Sequence, residues 1–443
     1  MSTADSSNTA GSRSSAPASS ADRPDAGHGA GDRPTVAVIG AGIIGATAAL
    51  DLQRQGFAVV LLDRGEPGMG CSYGNGGAIS PDLCVPSALP GLIKRVPRWL
   101  GDPLGPLVIR WRRLPAVLPW LLRWVRASDP ARVERAAAAL RALHAPSLRA
   151  YHEILGSDGA RLIETTGQLY VWRSDQASPT ELLARALRER HGVETRTLDE
   201  AAIRAIDPEL APGFRMGLFF PDNGHTVNPL RLVQTLIEQF RRDGGRVERA
   251  EVTALEPAGS GIGSAVCRDG RRIAAQHYVV ATGIDGTRLA SALGDRVPLE
   301  AERGYHMMLP NPGVRPVVKI SNRDHMFGLT PMENGVRIAG TVEFASPGTP
   351  PDERRAQALL TQAKRMYPRL DVTGATSWMG SRPSTPDSLP VIDRARRAGN
   401  VVYAFGHGHS GLTGAPMTAA IVTELLGGRK APLDRTPYRL DRF

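Results

Sequence analysis

The chain has 443 residues, 42% hydrophobic and 22% charged, the balance of a globular protein with room for two domains or one domain carrying a long insertion. Its formal charge of +10 comes almost wholly from arginine, with lysine only at Lys94, Lys319, Lys364 and Lys430. The arginines are scattered among acids rather than gathered into a basic run with interleaved aromatics, so an Arg- and Ala-rich composition accounts for them and nucleic acid is not an expected partner.

Residues 1–33 are rich in Ser, Ala, Gly and Asp and hold no large apolar side chain after Met1. Such a stretch cannot bury enough surface to offset its ordering entropy, and a disordered tail is expected. It lacks the apolar run of a secretory signal, and Asp5, Asp22, Asp25 and Asp32 do not suit a transit peptide. Cys71, Cys84 and Cys267 have no metal-ligand spacing and are too few for a disulfide framework, so a reducing, cytoplasmic setting without a bound metal is expected.

The first structured motif follows at once. Thr35–Ile39 is a short apolar, β-branched run, as in a strand buried on both faces. It leads into Gly40-Ala-Gly42-Ile43-Ile44-Gly45, a helical stretch ending at Gly56, a second apolar run at Phe57–Leu62, and Asp63. This is a βαβ unit with GxGxxG in its turn. Gly40 permits the tight turn, Gly42 lets backbone approach a pyrophosphate, and Gly45 lets helix and strand pack closely. The helix N-terminus around Ile43 and Ile44 offers free N–H groups to phosphate, and Asp63 can accept from ribose hydroxyls. The residues alone leave NAD and FAD open. The chain shows no second GxGxxG between strand and helix, which favours a single dinucleotide.

Residues 89–125 mix Leu, Ile, Val and four Trp with Lys and Arg. No apolar run reaches the roughly 18 residues that a spanning helix needs. Two readings stay open: short amphipathic helices at a membrane interface, or two Pro-broken helices packed over the protein's own interior.

Several stretches together carry a family resemblance. VIGAGIIGATAALDLQRQGFAVVLLDR, CSYGNGGAISP, PDNGHTVNPLRLVQTLIEQFRRDGGRVERAEVTALE, HYVVATGIDGTRLA and SRPSTPDSLPVIDRARRAGNVVYAFGHGHSGLTGAPMTAAIVTELLGG resemble the D-amino acid oxidase family of FAD enzymes. Within it, GNGGAISP before the Trp-rich segment, and GHGHSGLT, look most like the bacterial D-amino acid dehydrogenases. The resemblance implies an α/β architecture: a Rossmann-like FAD domain over 34–88, 216–298 and 377–443. An α+β substrate domain, built on a mainly antiparallel sheet, would occupy 89–215 and 299–376.

It also implies roles. Gly40, Gly42, Gly45 and Asp63 would hold the ADP half, with an adenine contact near Val252 and a second phosphate-side turn at Thr282 and Gly283. Arg64, Cys71, Ser72, Asn75, Gly76 and Gly77 would line the pyrophosphate and flavin. Gly408, Ser410, Gly411, Leu412 and Thr413 would sit at the flavin's pyrimidine edge. Arg382 would grip a substrate carboxylate through two parallel hydrogen bonds. His409 departs from the arginine that glycine oxidase-like members carry in this loop, and Tyr305 and Phe327 would stand as aromatic pocket walls. No cysteine lies beyond Cys267 and no histidine follows the turn at Gly74–Ala78, so FAD is expected to be non-covalent.

The expected reaction is hydride transfer from the substrate Cα to flavin N5, giving an imine and then a keto acid. A D-amino acid is the first-choice substrate, D-proline and hydroxy-D-proline included, with quinone or oxygen as acceptor. Peripheral contact with the cytoplasmic face of a membrane would run through 89–125. The alternatives are a subunit of a heteromeric opine or hydroxyproline dehydrogenase, and an oxidase of glycine, N-alkyl amino acids or modified tRNA.

Overall fold

Thr35–Ile39 forms the strand its composition suggests, and in the computed structural model it is the hub of a six-stranded sheet. The structure describes residues 33–102 and 105–443; the expected tail therefore lies outside the described residues except for Arg33. Across the sheet the order is Arg246–Arg249, Ala58–Asp63, Thr35–Ile39, His277–Val280, Val401–Phe405, Val391–Arg394. The first five are parallel and the last is antiparallel. Helices Ile43–Arg54, Pro229–Arg242 and Gly411–Leu425 share one core with this sheet through Ala49, Leu236 and Ile421. A three-stranded antiparallel meander, Val252–Ala258, Gly261–Cys267 and Arg272–Ala274, shares another core with it. The second strand runs from Ala58 to Asp63, one residue later than the apolar run alone suggests, because pairing with Thr35–Ile39 and Arg246–Arg249 extends it onto the acid.

A nine-stranded, mostly antiparallel sheet faces this unit. Its path runs Thr376–Ser384, Glu300–Leu309, Gly335–Phe344, Phe327–Met332, Lys319–Asn322, Gln168–Trp172, Met216–Phe220, Arg196–Leu198. Leu107–Ile109 pairs in parallel with the end of Gly335–Phe344. Two stretches expected in the FAD domain belong here instead. Met216–Phe220 pairs with Gln168–Trp172, and Thr376–Ser384, expected in the FAD domain from residue 377 on, pairs with Glu300 through Met308. Strand partners distant in the chain decide this allocation; local sequence does not report it. One bulge interrupts the sheet. Arg303 pairs with Glu343 but Tyr305 with Gly340, so Gly335–Phe344 carries an extra residue, and Thr341 takes a left-handed φ of 63° there.

The Trp-rich segment is built into the fold. Val96–Gly101 and Leu114–Ala127 are helices, and the second runs unbroken through Pro119. Val117 and Trp120 are buried against Phe344. Arg110 pairs with Glu343 at 2.7 Å, Arg113 pairs with Glu300 at 2.7 Å, and the Trp120 indole N–H donates to the Ser384 carbonyl at 3.0 Å. Among the described residues no helix is long and apolar enough to cross a membrane.

Candidate active site

The two sheets enclose a cavity of about 1550 Å3. That exceeds the upper end of ordinary small-ligand pockets, about 1,000 Å3, and leaves room for a dinucleotide and a substrate together. One end is the βαβ turn. Gly40 has φ 102°, and a Cβ there would lie 2.5 Å from the Ala281 carbonyl oxygen. A Cβ on Gly45 would lie 1.7 Å from the Gly40 oxygen, so Gly45 serves helix packing and does not face the cavity. Gly42, Ile43 and Ile44 line the cavity at the start of the helix. Gly42 offers the helix no side-chain cap; the Ser72 hydroxyl accepts from the Ile43 N–H at 2.9 Å, which leaves its own proton free to donate.

Asp63 is more committed than its position suggests. Its carboxylate accepts from Ala41 N at 2.7 Å and from Gly65 N at 2.9 Å, bracing the turn and leaving its remaining lone pairs for a ribose. Arg64 lines the cavity while pairing with Asp285 at 3.0 Å. Val252 lines this end too, and its carbonyl accepts from Arg288 at 3.0 Å. Thr282 and Gly283 also line this end, and the buried Thr282 hydroxyl has no hydrogen-bond partner.

The Gly-rich loop lies across the middle, pinned from the substrate sheet. Arg337 donates to the carbonyls of Tyr73 and Asn75, both at 2.7 Å. Thr330 donates to the Gly76 carbonyl at 2.6 Å, and His306 Nδ1 lies 3.1 Å from the Gly74 carbonyl. Burial, with nearby Arg337 adding to it, pushes the His306 imidazole down to about 3, so the ring is neutral and donates to that carbonyl. Trp378 stacks on His306 at 5.2 Å and fills the space where a Gly74 side chain would be, 1.7 Å from its Cβ position. Gly77 has φ 77° and is packed against Thr226 and Met332 behind the loop. Cys71 lines the cavity and donates its thiol to the Ser381 carbonyl at 2.9 Å; burial raises it, with Arg382 opposing.

His407 to Leu412 forms the facing wall. Gly408 has φ 52° and its N–H donates to the Pro383 carbonyl at 2.8 Å. Ser410 precedes the helix that begins at Gly411 without a side-chain capping bond, so a second helix N-terminus, with its partial positive charge, opens on the cavity. Thr413 turns away: it is buried, and its hydroxyl accepts from Ser80 N at 3.2 Å.

Arg382 sits on Thr376–Ser384 and lines the cavity. Its guanidinium lies over Gly304, 2.0 Å from where a Cβ would stand, and donates to the Thr341 carbonyl at 3.0 Å. The Thr341 hydroxyl is buried without a partner and also lines the cavity. Glu302 is the cross-strand partner of Arg382, and His409 Nε2 lies 2.6 Å from its carboxylate. Burial alone would raise the Glu302 carboxyl, but His409 and Arg382 together hold it below its ordinary value. Tyr305 and Phe327 border the cavity, but their side chains are buried in a core with Ile338 and Leu359. The Tyr305 hydroxyl points elsewhere, donating to Glu343 at 2.6 Å and accepting from Asp352 N at 2.9 Å. Burial and Glu343 raise that phenol to about 12, against the Asp352 N–H that lowers it.

The glycine cradle, the unpartnered Thr282 hydroxyl and the two helix N-termini fit a dinucleotide whose pyrophosphate and ring are both held by backbone. The comparisons with known proteins name it. The family model for FAD dependent oxidoreductases matches residues 35–425. The chain belongs to that family. A D-amino-acid oxidase of Bradyrhizobium diazoefficiens is 37% identical over 416 residues, covering 92% of this chain and 98% of that protein. A D-amino acid dehydrogenase of Dechloromonas aromatica is 32% identical, covering 89% and 97%. Among solved structures, the glycine oxidase of Geobacillus kaustophilus aligns with TM-score 0.68 at 20% identity, covering 92% of this chain and 98% of that one. The L-proline dehydrogenase of P. horikoshii aligns at 0.69 and 20%, covering 93% and 98%; at that identity the likeness is one of fold.

For an FAD-dependent oxidoreductase, sequence reasoning missed Glu302, Gly304, Thr341 and Trp378. Each lies in a strand whose local pattern reads as ordinary sheet, and only cross-strand pairing brings them to the cavity. A Gly in the run ERGYHMML was the one visible signal, since an interior strand glycine marks close approach of another group.

Proposed function

We propose that this enzyme oxidises a D-amino acid at its α-carbon, with FAD held non-covalently. Arg382 carries the reading: a guanidinium laid flat over a glycine, braced by the Thr341 carbonyl, faces the cavity wall His407–Leu412. That fork binds the substrate carboxylate in two parallel hydrogen bonds and so fixes the α-carbon. The names of the curated relatives support the D configuration.

FAD supplies the hydride-accepting centre when bound. The chain's residues supply binding and orientation. Gly42, Ile43, Ser72 and Thr282 would hold the pyrophosphate end, and the Gly411 helix N-terminus would favour negative charge at the ring's pyrimidine edge. Glu302 and His409 position Arg382. Leu107, Ile109, Trp120 and Trp124, from the lid formed by residues 107–127, line the cavity and exclude water.

Electrons leave to a quinone at a membrane surface in this reading. Trp111, Leu118 and Leu122 are exposed on the outer side of the lid, beside exposed Arg112, Arg123 and Arg126. Apolar and basic side chains together suit an anionic lipid interface. The test is anaerobic mixing of the yellow protein with D- and L-amino acids, D-proline, hydroxy-D-proline and sarcosine, followed by flavin absorbance. Bleaching by D-forms, with slow recovery in air and fast recovery with a quinone, is expected. Bleaching by L-forms alone, or by none, overturns the substrate assignment.

A further inference from the structure

Arg382 shares the substrate-sheet side of the cavity with Lys319 and Arg323, and Lys319 has no role in the reading above. Lys319 lies on Lys319–Asn322, in register with Gln168 and alongside Phe327–Met332. Its Nζ stands 3.7 Å from where a Cβ on Gly328 would be, an ordinary contact distance, so the ammonium lies beside Gly328 on that side. Gly304, Gly328, Arg382 and Lys319 line the same cavity. Lys319 bonds the Ser321 hydroxyl at 3.2 Å and, among the described residues, forms no ion pair with a carboxylate. Asp82, the acid that acts on it, is bonded to Asn223 at 2.6 Å and lies 3.9 Å from Arg188. Arg323 stacks over Tyr170 at 4.8 Å beside Lys319, and its buried Nε has no partner.

A cation turned away from water with no carboxylate in ion-pair contact is costly, and an anionic ligand reduces that cost. Burial lowers the Lys319 ammonium to about 8, with Asp82 opposing, so it is still charged at neutral pH. The interval between Lys319 and Arg382 gives the ligand's length. Gly304 and Gly328 lie on strands separated only by Gly335–Phe344. With strands about 4.8 Å apart, and Gly328 level with His306 two residues along from Gly304, the two cations stand roughly 12 Å from each other. Between them the floor is small: Ala339, opposite Gly328, and the Thr341 bulge. A five-carbon dicarboxylate, its ends about 5 Å apart by C–C bonds of ~1.5 Å, spans most of that interval with an ionic hydrogen bond of about 2.8 Å at each end.

We infer that Lys319 is a specificity-determining residue that binds the side-chain carboxylate of an acidic D-amino acid whose α-carboxylate is held by Arg382. This rests on the D-amino acid reading of the site. The test uses the FAD-loaded enzyme and two readouts. In anaerobic flavin reduction, D-glutamate should exceed its amide isostere D-glutamine by at least tenfold in reduction rate over apparent Kd. Lys319→Met should collapse that ratio toward one, and Lys319→Arg should restore most of it. Equal reduction by acid and amide, or a ratio unchanged in Lys319→Met, overturns the assignment. If no D-amino acid reduces the flavin, the reading of the reaction fails, and the dicarboxylate site is judged by binding alone. Glutarate should then perturb the flavin spectrum at a Kd at least tenfold below that of butyrate, an advantage lost in Lys319→Met; equal affinities would overturn the site.

Discussion

Glu302 and Arg382 face each other on adjacent antiparallel strands, and His409 closes on the same carboxylate from the opposite wall at 2.6 Å. One buried acid thus ties the carboxylate-binding strand to the flavin loop, and its loss should be felt at both. Its folded pKa is below the ordinary 4.5, so its stabilising contribution is complete above that value and is lost as pH falls through the depressed one. Thermal unfolding of wild type and Glu302→Gln should differ by about 1–3 kcal/mol near pH 7, as for a broken buried charged hydrogen bond. The gap should narrow as pH falls below 4.5. A difference constant with pH would remove the ionic account.

Arg382→Ala should raise KM for an amino acid substrate by at least 100-fold while FAD stays bound, since losing a buried charged pair costs about 2–5 kcal/mol. Arg382→Lys keeps the charge but not the planar fork, and should fall between the two. Steady-state kinetics with flavin absorbance as the binding control decides it; unchanged KM would remove Arg382 from substrate binding.

Gly74 and Trp378 are coupled by space. A Cβ on Gly74 would stand 1.7 Å from the Trp378 ring. Gly74→Ala should therefore destabilise the protein by about 1–3 kcal/mol, the usual cost of overpacking. Adding Trp378→Leu should recover much of that loss, whereas independent sites would give additive effects in the double-mutant cycle.

Trp111 is 80% exposed on the lid's outer face. Trp111→Ala should weaken co-sedimentation with vesicles containing anionic lipid several-fold and leave the flavin spectrum intact. Raising salt should weaken binding further, because Arg112, Arg123 and Arg126 contribute by charge. Retention equal to wild type at every salt concentration would exclude this face as the docking surface.

The dinucleotide turn was legible because its parts are neighbours in the chain. Gly40, Gly42 and Gly45 answer to local sterics, and strand, turn and helix follow within about twenty residues as the fingerprint requires. The same holds for the Gly411–Leu425 helix and the loop before it. Thr413, read from its motif, has its hydroxyl on Ser80 N and the Ala78 carbonyl: local pattern places a loop but does not say which side chain faces inward.

What the chain could not announce was its sheet register. Met216–Phe220 joins the substrate sheet, Glu302 meets Arg382, and Lys319 lies beside Gly328 only because strands from distant segments align residue by residue. A slip of one residue would turn each of these side chains to the other face. Local patterning therefore decided the cofactor cradle and the family. Long-range pairing, set by the packing of whole faces, decided which charges look into the cavity and how far apart they stand.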